Sequence, residues 1–229
     1  MEKNMNNPPS ARLPGASRQQ ITITAGTASL EGELVLPDHT SCVVLFAHGS
    51  GSSRLSPRNI YVASVLEEAG IGTLLFDLLT REEDRNYATR FDITLLTRRL
   101  LAATAWVKNN PQTHALKTGY FGASTGAAAA LQAAAESGKE IGAVVSRGGR
   151  PDLAGEDALR KVLAPTLLVV GGYDDVVIEL NREAYALLGC EKELTIIPGA
   201  SHLFEEPGTL EQAAHKAAGW FTRYLGNSI

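Results

Sequence analysis

Six short apolar runs recur along this chain, each ending abruptly in glycine or a polar residue: "CVVLFAHGSGSSR", "GTLLFDLLT", "LKTGYFG", "IGAVVSRGG", "TLLVVGGYDD" and "ELTIIPGASH". Such runs lack strict alternation, which suits strands of a parallel sheet covered on both faces. Helical patterns fill the gaps between them. In "SPRNIYVASVLEEAG", Ser56 is placed to cap, Pro57 fits the first position and Gly70 fits just past the end. Asp92 is placed to cap "ITLLTRRLLAATAWVKNN", where Leu96, Leu100, Ala103 and Val107 recur at helical spacing before Pro111. Residues 125–136 are strong helix formers ending near Gly138. "GEDALRKVL", "IELNREAYALLG" and "GTLEQAAHKAAGWFTRYLG" complete the helices, and "QQITITAGTASLEGELVLP" reads as two strands joined by a short turn. The pattern predicts an α/β fold: a mostly parallel central sheet of about eight strands, an N-terminal antiparallel hairpin and helices on both faces.

Composition narrows the class. The 229 residues, 44% hydrophobic, suffice for one well-buried domain over 19–229. Residues 1–18, polar and proline-containing, read as a mobile tail without the apolar segment of a secretory signal. Net charge is −4 with scattered Lys and Arg, unlike the basic stripe of a nucleic-acid binder. No apolar run reaches the roughly 18 residues of a membrane span. The expectation is a cytoplasmic monomer or small homo-oligomer that acts on a small molecule and needs neither cofactor nor metal. Cys42 and Cys190 have no metal-ligand spacing and read as small structural residues.

In folds of this class, ligands bind beyond the carboxyl ends of the strands. Four unusual segments fall there: "HGSGSS", "GASTG", "GGYDD" and "GASH". Ser124 lies in the second, flanked by Gly122 and Gly126. With 22 glycines in the chain, shuffling would produce that spacing about once in eight trials, so its strand-to-helix setting has to carry the argument. A serine hydroxyl needs an adjacent base. His202 can supply it, since imidazole titrates near neutral pH. A carboxylate must hold the ring in one tautomer: Asp174 is the first choice and Asp175 the fallback. A negative oxygen formed on attack needs backbone donors. Thr125 N–H at the helix start is one, and Ser50 N–H the favoured second, with Gly49 and Gly51 as alternatives. His48 reads as shaping its loop by hydrogen bonding, and Asp77 as a structural carboxylate near the site.

This arrangement resembles the α/β-hydrolase fold over about residues 19 to 227, and the order Ser124, Asp174, His202 matches that family's order of nucleophile, acid and base. "HGSGSSRLSPRN", "LLFDLLT", "GYFGASTGAAAAL", "SRGGRPDLAG" and "VVGGYDDVVIELNREAY" make the chain similar to the dienelactone-hydrolase-like group. Those enzymes are known for a cysteine nucleophile, and here the position is Ser124. The resemblance therefore implies a serine carboxylesterase working through an acyl-enzyme. Amidase, thioesterase or lactone (dienelactone-type) hydrolysis on the same triad are alternatives. A catalytically silent ligand-binding protein and a nucleotide-binding protein are the non-hydrolase readings. The last fits poorly, because the third glycine of a dinucleotide loop would fall at Arg54.

Tyr173 and Phe204 flank catalytic candidates and are candidate pocket residues. Arg147 and Arg150 are candidates to hold a substrate carboxylate, with Arg54 and Arg81 behind them. Only about 18 residues, 147–164, separate the sixth strand from Pro165. That leaves no room for a cap domain and predicts an open site for small, soluble, short-acyl esters.

Overall fold

The computed structural model describes residues 15–226. Most of the segment expected as a tail lies outside them. The first strand begins at Ser17, within the last two residues of that segment.

Among the described residues eight strands form one sheet: β1 (Ser17–Ala25), β2 (Ala28–Leu36), β3 (Cys42–Ala47), β4 (Gly72–Phe76), β5 (Lys117–Ala123), β6 (Ile141–Arg147), β7 (Thr166–Gly171) and β8 (Lys192–Ile197). Their spatial order is β1-β2-β4-β3-β5-β6-β7-β8. The hairpin β1–β2 is antiparallel and joins β4 antiparallel; all other pairs are parallel. Five helices lie between strands among the described residues, α1 (Pro57–Glu68), α2 (Ile93–Asn109), α3 (Thr125–Ser137), α4 (Glu156–Lys161) and α5 (Asp175–Leu187), and α6 (Thr209–Leu225) follows β8. The caps read from sequence form: Ser56 Oγ accepts from the Asn59 amide, and Asp92 Oδ1 accepts from the Leu95 amide at 3.0 Å. Helix α5 begins at Asp175, three residues before the apolar pattern that marked it.

The pleat divides the core into two layers. On β3, Val43, Leu45 and Ala47 face the side covered by α2 and α3, while Cys42, Val44 and Phe46 face the side covered by α1 and α6. Every residue of β3, β4 and β7 is buried, as expected of strands sandwiched between helices. Between β6 and β7 the chain makes only a single turn at Pro151–Ala154 and the six-residue α4, so no cap domain covers the strand ends. No helix among the described residues is long and apolar enough to cross a membrane.

Candidate active site

The joint between β5 and α3 holds Ser124 in a conformation that L-residues rarely adopt, with φ +51° and ψ −121°. Its neighbours allow this only because they lack side chains. A Cβ on Gly122 would lie 2.4 Å from Ala127 Cα. One on Gly126 would lie 2.1 Å from the Ala47 carbonyl oxygen and 2.5 Å from that of His48. The turn is further pinned at its own carbonyl, where Ser124 O accepts from the Ala127 and Arg150 amides, each at 3.1 Å.

His202 and Asp174 reach the same region from the loops after β8 and β7. His202 Nδ1 and Asp174 Oδ2 are 2.6 Å apart, leaving Nε2 of the ring free for other work. Gly171 lets the loops cross: a Cβ there would lie 2.5 Å from the carbonyl oxygens of Ala200 and Ser201. Asp174 is the N-cap residue of α5, whereas Asp175 is the first residue of that helix and makes no bond to His202. Ser124 and His202 both line a cavity of about 260 Å³, together with Gly49, Ser50, Arg58, Asn59 and Arg147. A larger open groove of about 940 Å³ between β1 and α2 contains none of the sequence-predicted site residues.

The backbone donors are arranged by the loop after β3. Thr125 N–H belongs to the unfilled first turn of α3, whose dipole adds positive potential beside Ser124. The Ser50 amide makes no hydrogen bond to protein among the described residues. Its peptide plane is set by His48. The Leu78 amide donates to His48 Nε2 at 3.0 Å, so that nitrogen carries no proton. Nδ1 therefore carries it and donates to the Gly49 carbonyl at 3.0 Å, where the Ser52 amide also donates at 3.1 Å. In a trans peptide, fixing the Gly49 carbonyl fixes the Ser50 N–H on the opposite side. Burial pulls the His48 pKa down, against the opposing pull of the Gly49 carbonyl and Asp77, and keeps the ring neutral. Asp77 accepts from the Arg54 amide at 2.8 Å and pairs with its guanidinium, anchoring the far end of the loop.

The remaining candidates divide. Arg147 lines the cavity. Arg150 does not: Asp152 binds it through two bonds of 2.8 and 2.7 Å. Arg54 is held by Asp77 and Glu31, and Arg81 is exposed outside the cavity. Phe204 is buried with its ring beneath the Arg147 guanidinium, at φ +57°, rather than facing the cavity. Tyr173 is 74% exposed and not part of the lining; its amide donates to the Ala200 carbonyl and braces the histidine loop. Sequence reasoning missed Asn59, Arg58, Phe91 and Leu203.

Over residues 30–226 the chain matches the protein family described as "Dienelactone hydrolase family". The crystal structure of a dienelactone hydrolase from Anabaena variabilis is 56% identical, covers 92% of this chain and 99% of that one, and superposes with a TM-score of 0.90. An esterase of Pyrococcus furiosus shares the fold at 20% identity, with a TM-score of 0.74 over 92% of each chain. Two Mycobacterium tuberculosis proteins, from strains CDC 1551 and H37Rv, are each 56% identical over 212 residues. Both are provisionally named phosphoribosyl transferases. The alignment takes 93% of this chain and 48% of theirs, so the chain spans about half the length of these curated relatives. With the matched segment running from β2 to the end of α6 and more than half of all positions shared with these relatives, the chain belongs to the dienelactone hydrolase family.

Proposed function

We propose that the protein is a serine hydrolase that cleaves small, soluble carboxylic esters through an acyl-enzyme. The observation that carries this reading is Ser124, strained at φ +51° and lining one cavity with a histidine whose other nitrogen is bound by Asp174. His202 Nε2 takes the proton as Ser124 Oγ attacks the ester carbonyl. The Thr125 and Ser50 amides hold the oxygen that becomes negative, and His202 returns the proton to the leaving alcohol. Water then releases the acid by the same steps. One preorganised backbone donor is worth about 10²–10³ in rate. The strain at Ser124 costs about 1–3 kcal/mol, and the packing around Gly122 and Gly126 maintains it.

The transferase name belongs to proteins of about twice this length and adds no chemistry to a cavity built around Ser124. The test is a serine-directed fluorophosphonate followed by mass mapping, alongside turnover of a short-acyl ester panel. A single adduct on Ser124, lost in Ser124→Ala and slowed at least 100-fold in His202→Ala, is the expected result. Absence of both adduct and turnover in the folded protein overturns the reading. Thioester, amide and lactone substrates in the same panel separate the related hydrolase activities.

A further inference from the structure

Thr125 N–H, the proposed donor at the start of α3, is backed by a chain of hydrogen bonds that begins on another helix. Asn181 lies midway along α5 and is fully buried. Its Nδ2 donates to the Gly149 carbonyl at 3.0 Å and to the Val177 carbonyl, one turn back in the helix, at 2.8 Å. Two carbonyl partners fix that end of the amide as the NH2. The other end, Oδ1, is buried and has no partner among the described residues. An orphaned buried oxygen destabilises a fold, and leucine would fill the same space without one. What asparagine supplies here is the bond to Gly149. That residue sits in the turn after β6, and its place is tightly set: a Cβ there would lie 1.9 Å from Ser146 Oγ and 2.7 Å from Ala127 Cβ. The Gly149–Arg150 peptide is trans, so holding its carbonyl turns its N–H the opposite way. The Arg150 amide donates to the Ser124 carbonyl at 3.1 Å. That carbonyl shares a peptide with Thr125 N–H.

Two peptides therefore stand in series between Asn181 and the site. Hydrogen bonds in series polarise one another, and a carbonyl that accepts makes the N–H of its own peptide a stronger donor. We propose that Asn181 is a positioning residue for the reaction: through the Gly149–Arg150 peptide it orients and polarises the Ser124–Thr125 peptide, aiming Thr125 N–H at the oxygen that becomes negative. Asn181 is not part of the cavity lining, and its bonds go to backbone carbonyls alone. His48 acts in the same way on the Gly49–Ser50 peptide, so each of the two backbone donors is set by one buried side chain. Helix α5 also carries Asp174 at its N-cap, so a substitution that merely loosened the helix would disturb the Asp174–His202 pair instead. This inference rests on the hydrolase reading above, and the experiment separates the two.

Asn181→Leu is compared with the wild-type protein in four measurements: kcat and KM for p-nitrophenyl acetate, the pH profile of kcat/KM from pH 5 to pH 9, inhibition by 1,1,1-trifluoro-2-butanone, and hydrogen exchange at the Arg150 amide. The ketone reports on the donors, because attack by Ser124 Oγ converts its carbonyl oxygen into an oxyanion. The expected kcat falls about tenfold with KM little changed, part of the 10²–10³ that complete loss of a donor costs. Affinity for the ketone falls by the same factor, the acid limb of the pH profile stays in place, and the Arg150 amide exchanges about tenfold faster. An unchanged kcat in the folded variant overturns the proposal. So does a kcat loss with ketone affinity intact, or one accompanied by a shifted acid limb, which would place the damage at Asp174 and His202. If the wild-type protein turns over no ester, the hydrolase reading fails, and exchange at Arg150 alone decides whether Asn181 holds this chain: faster exchange in the variant keeps it, and unchanged exchange sinks it. Should Asn181→Leu not fold, Asn181→Ala, which removes the donor without adding bulk, takes its place in every comparison.

Discussion

Gly126 shows how closely the proposed nucleophile, Ser124, is tied to its surroundings. The Cβ it lacks would fall onto two backbone carbonyls at the end of β3, which cannot swing aside as a side chain can. Gly126→Ala must push α3 and β3 apart, a strain of about 2–3 kcal/mol by the usual cost of overpacking. Thermal unfolding is expected to fall by about 5–10 °C. Ester turnover is expected to fall further than stability, because the same shift moves Thr125 N–H relative to Ser124. Unchanged unfolding would show that the joint is looser than its geometry. His48 gives a second residue-scale prediction. Its folded pKa is lowered, so below the ordinary value of about 6.5 the unfolded chain binds the extra proton and stability declines as pH falls. His48→Gln removes that dependence. The stability difference between wild type and variant, followed by denaturation from pH 8 to pH 5, should shrink as pH falls; a constant difference would mean that His48 does not titrate differently on folding.

Among the elements, the loop after β3 determines where the second backbone donor points. It is fixed at both ends by the two residues that follow β4: Leu78 N–H holds His48, and Asp77 holds Arg54. Asp77→Ala frees the Arg54 amide and leaves its guanidinium on Glu31 alone, without touching the cavity lining. The expected effect is a kcat loss of about tenfold with KM little changed, part of the 10²–10³ that complete loss of a donor costs. A KM rise with kcat intact would instead mean that the loop binds substrate. The strand-end segments were legible in the sequence because each joins a buried apolar run to glycines and a reactive side chain, a conjunction that packing alone does not call for. The helix caps at Ser56 and Asp92 were legible for the same local reason. Ion pairing and side-chain direction were not. Arg147 and Arg150 lie in one "SRGGRPD" segment, and only the turn that brings Asp152 back to Arg150 distinguishes them. Tyr173 and Phe204 flank Asp174 and His202 in sequence, yet one side chain points to solvent and the other into the core. Asn59 was concealed by a helical pattern that reports spacing but not which polar face meets a cavity.

At the scale of the molecule, the absence of a cap decides how much substrate can be buried. Among the described residues only the Pro151–Ala154 turn and α4 lie between β6 and β7, and the cavity is walled by the loop after β3, the first turn of α1, Phe91 and the His202 loop. The cavity at Ser124, about 260 Å³, falls below the range of roughly 300–1,000 Å³ typical of sites that engulf drug-sized ligands. Phe91 and Leu203, each 40% exposed, are its apolar margin, and Arg58 and Arg147 occupy the wall that a lipid chain would need. Each methylene buried would contribute about 0.8 kcal/mol, roughly fourfold in kcat/KM, so an extended apolar groove would reveal itself as a steady rise with acyl length. Here the gain should end once the small cavity is full, and longer chains should project into water or collide with the arginine wall. Across p-nitrophenyl esters from acetate to decanoate, kcat/KM is expected to peak within the first few carbons. It should then fall at least tenfold by the decanoate. A rise continuing through to the decanoate would require an apolar surface that opens when substrate arrives, and would overturn the small-ester assignment while leaving Ser124, His202 and Asp174 as its chemistry.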